Sequence, residues 1–314
     1  MEYSKLKEKK MKYSIKNLYQ FIKQVVSEFS NDNVFKYSAS LSYYTIFSLA
    51  PMLIIIISVC SFFFGKEAMQ GEIYGQIAGL VGKDAALQIQ STIKSTHLSN
   101  TTVLATIISV VSLILGATGV FGEIQDSLNK IWGLKVKPKS GIWKVVINRL
   151  LSFSLVLSLG FILVVSLVLN AIILSFGSRL DAYLSGLGTS LISLIDIVVS
   201  LVVNTILFAA IFKILPDAKI RWKDVTVGAL ITSVLFIAGK FLIGYYLATS
   251  KLTSVYGAAG SIILILLWTY YSSAILYMGA EFTKVYAIKY GNKILPNDYS
   301  TWVKTEEVPV AGAK

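Results

Sequence analysis

Residues 189–249 read TSLISLIDIVVSLVVNTILFAAIF, then KILPDAKIRWKD, then VTVGALITSVLFIAGKFLIGYYLAT. Two long apolar runs flank a short basic break. A helix rises about 1.5 Å per residue, so roughly 20 residues cross a hydrocarbon core of about 30 Å. Each run meets that length, and the break between them is a tight return. The stretch therefore reads as two antiparallel membrane helices, at 189–212 and 225–249, joined by residues 213–224.

The same reading extends outward in both directions. Apolar runs recur at 43–65, 103–121, 150–176 and 259–282, which makes six spans. Pro51 near the start of the first is accommodated there or kinks it. The chain is 55% hydrophobic and only 15% charged, where a soluble domain is closer to a quarter charged; its mean hydropathy is +0.68. The expected fold class is all-α: a polytopic membrane protein of six transmembrane helices, with an N-terminal amphipathic helix and a helical outer loop. In residues 1–41, Ile15, Leu18, Tyr19, Ile22, Val25, Val26 and Phe29 recur at helical spacing beside Lys12, Lys16 and Lys23. That pattern suits a helix on the membrane surface or packed under the bundle. Residues 66–102 form the outer loop, with two short amphipathic helices. Residues 284–314 are a tail whose last residues are expected to be disordered. The first apolar run starts too late for a cleaved signal, so the first span is expected to stay as an anchor.

Orientation follows from Lys and Arg. With the N-terminus inside, the inner segments 1–41, 122–149, 213–224 and 283–314 hold eight, six, four and five of them. The outer segments hold three, one and one, and Lys240 lies within a span. Both termini are thus expected in the cytoplasm. The net charge of +12 becomes a topology signal that also suits anionic lipid head groups. Nucleic acid is not an expected partner, because the basic segments are short and interrupted by spans. A homo-oligomer is compatible with the sequence.

Ionisable residues inside a membrane are costly and default to functional hypotheses. Asp196 and Lys240 sit equally far from the centre of the 213–224 loop, so regular helices place them at matching depth. Ser193, Asp196, Ser200 and Asn204 fall within an arc of about 80° on one helix face. Ser233 and Lys240 fall within about 20° on the next helix. These residues define a candidate polar seam between the fourth and fifth spans. For the serines taken alone, interhelical hydrogen bonding and packing is the favoured account. Glu281, at the inner end of the sixth span, is a further candidate, within reach of inner-face water or Lys284.

Other chemistry is scarce. Cys60 is the one cysteine and His97 the one histidine, so no metal-ligand spacing arises and no disulfide framework exists. No Gly-x-x-x-x-Gly-Lys-Ser/Thr loop is present, which argues against an ATP-driven pump by that mechanism. No Gly-x-Ser-x-Gly elbow appears either. No catalytic residue, metal or cofactor is expected, and the chain does not read as an enzyme.

Several motifs stand in a fixed order. Ala39-Ser40-Leu41-Ser42-Tyr43-Tyr44-Thr45 with Ser48-Leu49-Ala50-Pro51 opens the first span. Gly116-Ala117-Thr118-Gly119-Val120-Phe121 and Leu128-Asn129-Lys130-Ile131-Trp132 close the second. Leu215-Pro216-Asp217 and Trp222 precede the fifth, which carries Lys240 and Tyr245. Tyr256-Gly257-Ala258-Ala259-Gly260-Ser261, Leu267-Trp268-Thr269-Tyr270-Tyr271 and Gly279-Ala280-Glu281 mark the sixth. Over about residues 30–285 this set resembles the YihY/BrkB family of bacterial inner-membrane proteins, formerly labelled ribonuclease BN. The resemblance implies a six-span integral membrane protein, with links in some members to serum resistance and in others to envelope lipid export. It carries no catalytic residues. The ribonuclease label fits poorly, since a metal-dependent nuclease needs clustered carboxylates or histidines. Glu123, Asp126, Asp217, Asp224 and Glu281 read as scattered. Two functions remain: a transporter or exporter of a lipid or small polar or amphipathic solute, and a non-transporting membrane scaffold or envelope-assembly factor.

Overall fold

The structure is a computed structural model in which residues 15–48, 74–75, 86–87, 90, 119–137, 188–249, 256 and 258–303 are described. Helix α1 is Ile15–Asn31. Helical residues 34–48 form α2, and helical residues 119–131 form α3. Strand β1 is Leu134–Val136. Helix α4 is Gly188–Ile214, strand β2 Ala218–Lys219 and helix α5 Trp222–Thr249. Helix α6 is Ala258–Lys289, followed by β3 at Leu295–Pro296 and β4 at Ser300–Trp302.

The fourth, fifth and sixth expected spans are thus helices, and each is long and apolar enough to cross a membrane: Ile197–Ile214, Trp222–Leu247 and Ala259–Lys289. The span expected at 150–176 lies outside the described residues. So does most of those at 43–65 and 103–121 and of the outer loop 66–102. Helix α6 runs on past Phe282 to Lys289. The extension is explained by packing, because Val285 and Ala287 are buried and Phe282 meets Phe21 of α1 edge-on at 5.0 Å.

Helices α4, α5 and α6 pack in sequence order. The α5–α6 crossing is built on a reciprocal pair of small residues. Gly228 and Thr232 on α5 face Thr283 and Gly279 on α6. A Cβ at Gly228 would collide with Thr283 Oγ1, and one at Gly279 would collide with Thr232 Oγ1. Each threonine hydroxyl donates back to the glycine carbonyl of its own helix, Thr232 to Gly228 and Thr283 to Gly279, both at 2.7 Å. The hydroxyls are thereby satisfied without a polar partner across the interface. Small residues allow close backbone approach where apolar lipid supplies no hydrophobic drive. One turn beyond Thr232, Phe236 packs edge-on against both Phe208 of α4, at 5.6 Å, and Trp268 of α6, at 6.5 Å.

The tight core sits at one end of this bundle, the end that holds Ile214, Trp222 and Lys289 and is here called the basic end. Leu128, Ile131, Trp132, Phe212, Val225, Tyr277 and Ile294 are all buried there. Further along α4 and α5, Val198, Val202, Phe241, Leu242 and Tyr245 are exposed. Exposed apolar faces on long helices suit contact with lipid.

The remaining described elements strap the basic end. Helix α1 presents Phe21, Val25 and Phe29, spaced by four, and buries them. The turn that follows it contains Asn33, whose φ of 54° is the left-handed conformation that asparagine tolerates better than most residues. Helix α3 ends at Gly133, with φ 65°. Strand β1 then pairs antiparallel with β4, Leu134 opposite Trp302. Strand β2 pairs antiparallel with β3, Ala218 opposite Pro296. The tail therefore ties the segment after α3 to the α4–α5 return.

Candidate functional site

Glu28 on α1 and Asp32, one turn on and just past its end, lie on the same side as Val25 and Phe29. That side packs on α6, so both carboxylates meet its last turns. Lys284 Nζ stands 2.8 Å from Asp32 Oδ2, 2.9 Å from Glu28 Oε2 and 3.2 Å from Glu281 Oε2. Glu281 is fully buried, and its second oxygen, Oε1, has no hydrogen-bond partner among the described residues. One oxygen from each acid lies within 4.8 Å of the others. That spacing would suit a hard cation, but the ammonium of Lys284 already stands among them. The scattered acids expected from sequence are corrected here: Glu281 is joined by two carboxylates from the end of α1. It also meets Lys284, as expected, but no water-exposed face.

A second network joins two of the ordered motifs. Asn129 on α3 donates to Asp217 Oδ2 at 2.9 Å and accepts from the Asp217 backbone N–H at 2.8 Å. Gln125 donates to Asp217 Oδ1 at 3.3 Å, and the Ser300 hydroxyl donates to the Asp217 carbonyl at 2.8 Å. Trp132 donates its indole N–H to the Ala280 carbonyl at 3.1 Å. Motifs around Asn129, Asp217 and Glu281, far apart in sequence, thus converge on one end of the bundle. A buried carboxylate with several donors is satisfied without a neighbouring cation.

Between these two networks lies a cavity of about 650 Å³. Asp32, Tyr37, Asp126, Asn129, Lys130 and Lys135 contribute to its wall. Asp126 is an exposed residue on the cavity wall. Its carboxyl is raised from the ordinary value first by burial, then by the charges of Glu123 and Asp217, against the opposing pull of Lys130. Lys130 is one turn on from Asp126, at the spacing of a helical ion pair. Its Nζ instead stands 5.2 Å over the Tyr37 ring, a cation–π placement.

The seam expected between α4 and α5 is placed as follows. Ser233 is buried, and its hydroxyl lies 3.2 Å from that of Thr205 across the helix pair. Each hydroxyl is also within hydrogen-bond reach of a carbonyl of its own helix, Leu201 for Thr205 and Ala229 for Ser233. Ser200 and Asn204 are half-buried on α4, and Lys240 is exposed on α5. Ser193 and Asp196 lie on α4, but their side chains fall outside the described residues. The structure therefore joins Ser233 to Thr205, a residue the helical arc did not single out. Sequence reasoning also missed Glu28, Asp32 and the pairing of Asn129 with Asp217. The four-residue spacing of Glu28 and Asp32, on the apolar side of α1, was the available signal.

The family described as Virulence factor BrkB matches residues 25–300, a span that runs from just before Glu28 to Ser300. A UPF0761 membrane protein of Pseudoalteromonas atlantica is 24% identical over 84% of this chain and 85% of its own length. One of Teredinibacter turnerae is 29% identical over 86% of this chain, which spans 61% of that relative. One of Tolumonas auensis is 28% identical over 77% of each. No solved structure matches the chain. The ordered motifs, their convergence at the basic end and a match over residues 25–300 together place this chain in the Virulence factor BrkB family of membrane proteins.

Proposed function

We propose that the chain is a six-span transporter or exporter of a lipid or a small polar or amphipathic solute in the bacterial inner membrane. Both termini are cytoplasmic in this reading, as the concentration of Lys and Arg in alternate loops favours. The carrying observation is the polar cavity of about 650 Å³ at the basic end. Its size falls within the range of ligand sites, and its wall includes residues of the family's own motifs. The adjoining Glu281–Lys284 cluster supports the reading, because ionisable groups at membrane depth mark ion and substrate paths more often than ordinary packing. The sequence holds no phosphate-binding loop, so transport is driven by a gradient or is facilitative. The polar seam of Ser193, Asp196, Ser200, Asn204, Ser233 and Lys240 is the proposed continuation of the path through the membrane.

The test is flux in proteoliposomes across a panel of labelled lipids and solutes, comparing wild type with Asp126→Asn at the cavity and with Asp196→Asn and Lys240→Met at the seam. Movement that slows in the cavity variant supports entry at the basic end. Wild-type protein that is folded yet moves nothing in the panel speaks against transport.

One observation favours a second reading, a scaffold or envelope-assembly factor. Leu18, Tyr19, Ile22 and Val26 form a second apolar face of α1 that is exposed. A partner captured through α1, with function lost when residues 1–30 are deleted and flux absent throughout, would favour that reading.

A further inference from the structure

The charges on the cavity wall are uncommitted in a way that specifies a ligand. Asp32 is already held by Lys284 at 2.8 Å. Asp126 has neither an ion pair nor a side-chain hydrogen bond among the described residues. Its helical neighbour Lys130 is turned to the Tyr37 ring, 5.2 Å away, and leaves the carboxylate facing the cavity. Lys135, on β1, is exposed and lines the same cavity. The wall thus offers the Asp126 carboxylate on α3 and two ammonium groups, that of Lys130 on α3, over the Tyr37 ring, and that of Lys135 on β1. Asn129, also on the wall, is occupied by Asp217.

An anion alone would meet the lysines but lie near an unpaired carboxylate, and a cation alone would meet Asp126 but lie near two lysines. A molecule with an ammonium at one end and a phosphate at the other answers both, since each charge replaces lost hydration with an opposite charge. We infer that the cavity binds a zwitterionic phosphoester, with its ammonium on Asp126 and its phosphate on Lys130 and Lys135. The inference rests on the transporter reading for its purpose, and names the substrate class of that cavity. The chemistry is shared by a phospholipid head group and by a free glycerophosphodiester.

The experiment is equilibrium binding by calorimetry to the purified full chain in nanodiscs of phosphatidylglycerol. Glycerophosphoethanolamine is compared with glycerol 3-phosphate and with ethanolamine. The zwitterion is expected to bind about tenfold more tightly than either half. Asp126→Asn should remove that preference over glycerol 3-phosphate, Asp126→Glu should keep it, and Lys130→Gln with Lys135→Gln should remove the preference over ethanolamine. Equal binding of glycerol 3-phosphate and the zwitterion by wild type would overturn the inference, as would no binding of any probe. A preference unaffected by Asp126→Asn would overturn it too. Nanodiscs containing phosphatidylethanolamine separate the two sources: weaker apparent binding of the soluble probe assigns the site to lipid head groups, and unchanged binding assigns it to the free ester. Binding with this pattern but no flux leaves the site standing and removes the transporter reading. Flux without this pattern does the reverse.

Discussion

Replacing Lys284 by Met should be among the most destabilising single changes at the basic end. Its Nζ contacts three carboxylates at 2.8, 2.9 and 3.2 Å, and its side chain is 16% exposed while Glu281 is fully buried. Removing one member of a buried ion pair typically costs 3–5 kcal/mol, mainly because the partner is left charged and unpaired. Glu28 and Asp32 are about a third exposed, 35% and 30%, so water can take up part of their loss. That places the expected loss near the low end, about 3 kcal/mol, or a fall in Tm on the order of 5–10 °C. Glu281→Met combined with Lys284→Met removes the buried acid together with its cation. Apolar replacement of both members is often close to neutral, so the double variant should recover at least half of the single loss. Thermal unfolding of purified protein in one detergent, followed by tryptophan fluorescence at neutral pH, compares wild type, Lys284→Met, Glu281→Met and the double variant. An unchanged Tm in Lys284→Met would refute the cluster as a stabilising element. Strictly additive losses would show that Glu281 and Lys284 act independently.

Other substitutions test the neighbouring contacts. Gly279→Ala should cost about 1–3 kcal/mol by overpacking against Thr232, and adding Thr232→Ala should recover part of it in the same assay. Asn129→Leu removes the donor to the buried Asp217 and should cost about 2–3 kcal/mol. It should also speed proteolysis of residues 295–303, which Ser300 ties to Asp217. The Lys219–Asp298 contact, 2.6 Å and exposed, predicts a pH effect in the tail. The Lys219 hydrogen bond and charge hold the Asp298 carboxyl below its ordinary value of 3.8. Its contribution is therefore complete above the ordinary value and is lost as pH falls through the lowered one. Hydrogen exchange at residues 298–302 should quicken at that acid end in wild type and show no such step there in Asp298→Asn.

The long apolar runs were legible because a membrane helix declares itself locally: about 20 apolar residues admit few other folds. Helices α4, α5 and α6 follow those runs closely. The basic end of α6 was less legible, since Glu281, Lys284 and Lys289 make the sequence look as though it leaves the membrane helix. Packing on α1 carries the helix onward. Glu28 and Asp32 look like the solvated face of an amphipathic helix until that face is known to cover α6. Strands β1 to β4 are two or three residues long and pair with partners remote in sequence, which leaves no periodicity to read. Asn129 and Asp217 were each visible as motif residues. Their reciprocal bonds could be learned only from the fold, because a single sequence carries no distance between them. Of the seam, Ser233 does meet α4, but through Thr205.

The flux of a labelled zwitterionic phospholipid across proteoliposomes, wild type against Asn31→Trp, bears on transport through the cavity more closely than any other measurement. Asn31 lines the cavity and is exposed, so an indole there fills space without disturbing the core. Flux above protein-free vesicles that falls about tenfold in Asn31→Trp, a barrier change of about 1.4 kcal/mol, is the expected result. Flux equal to protein-free vesicles, or equal in the two folded proteins, would contradict passage through that cavity.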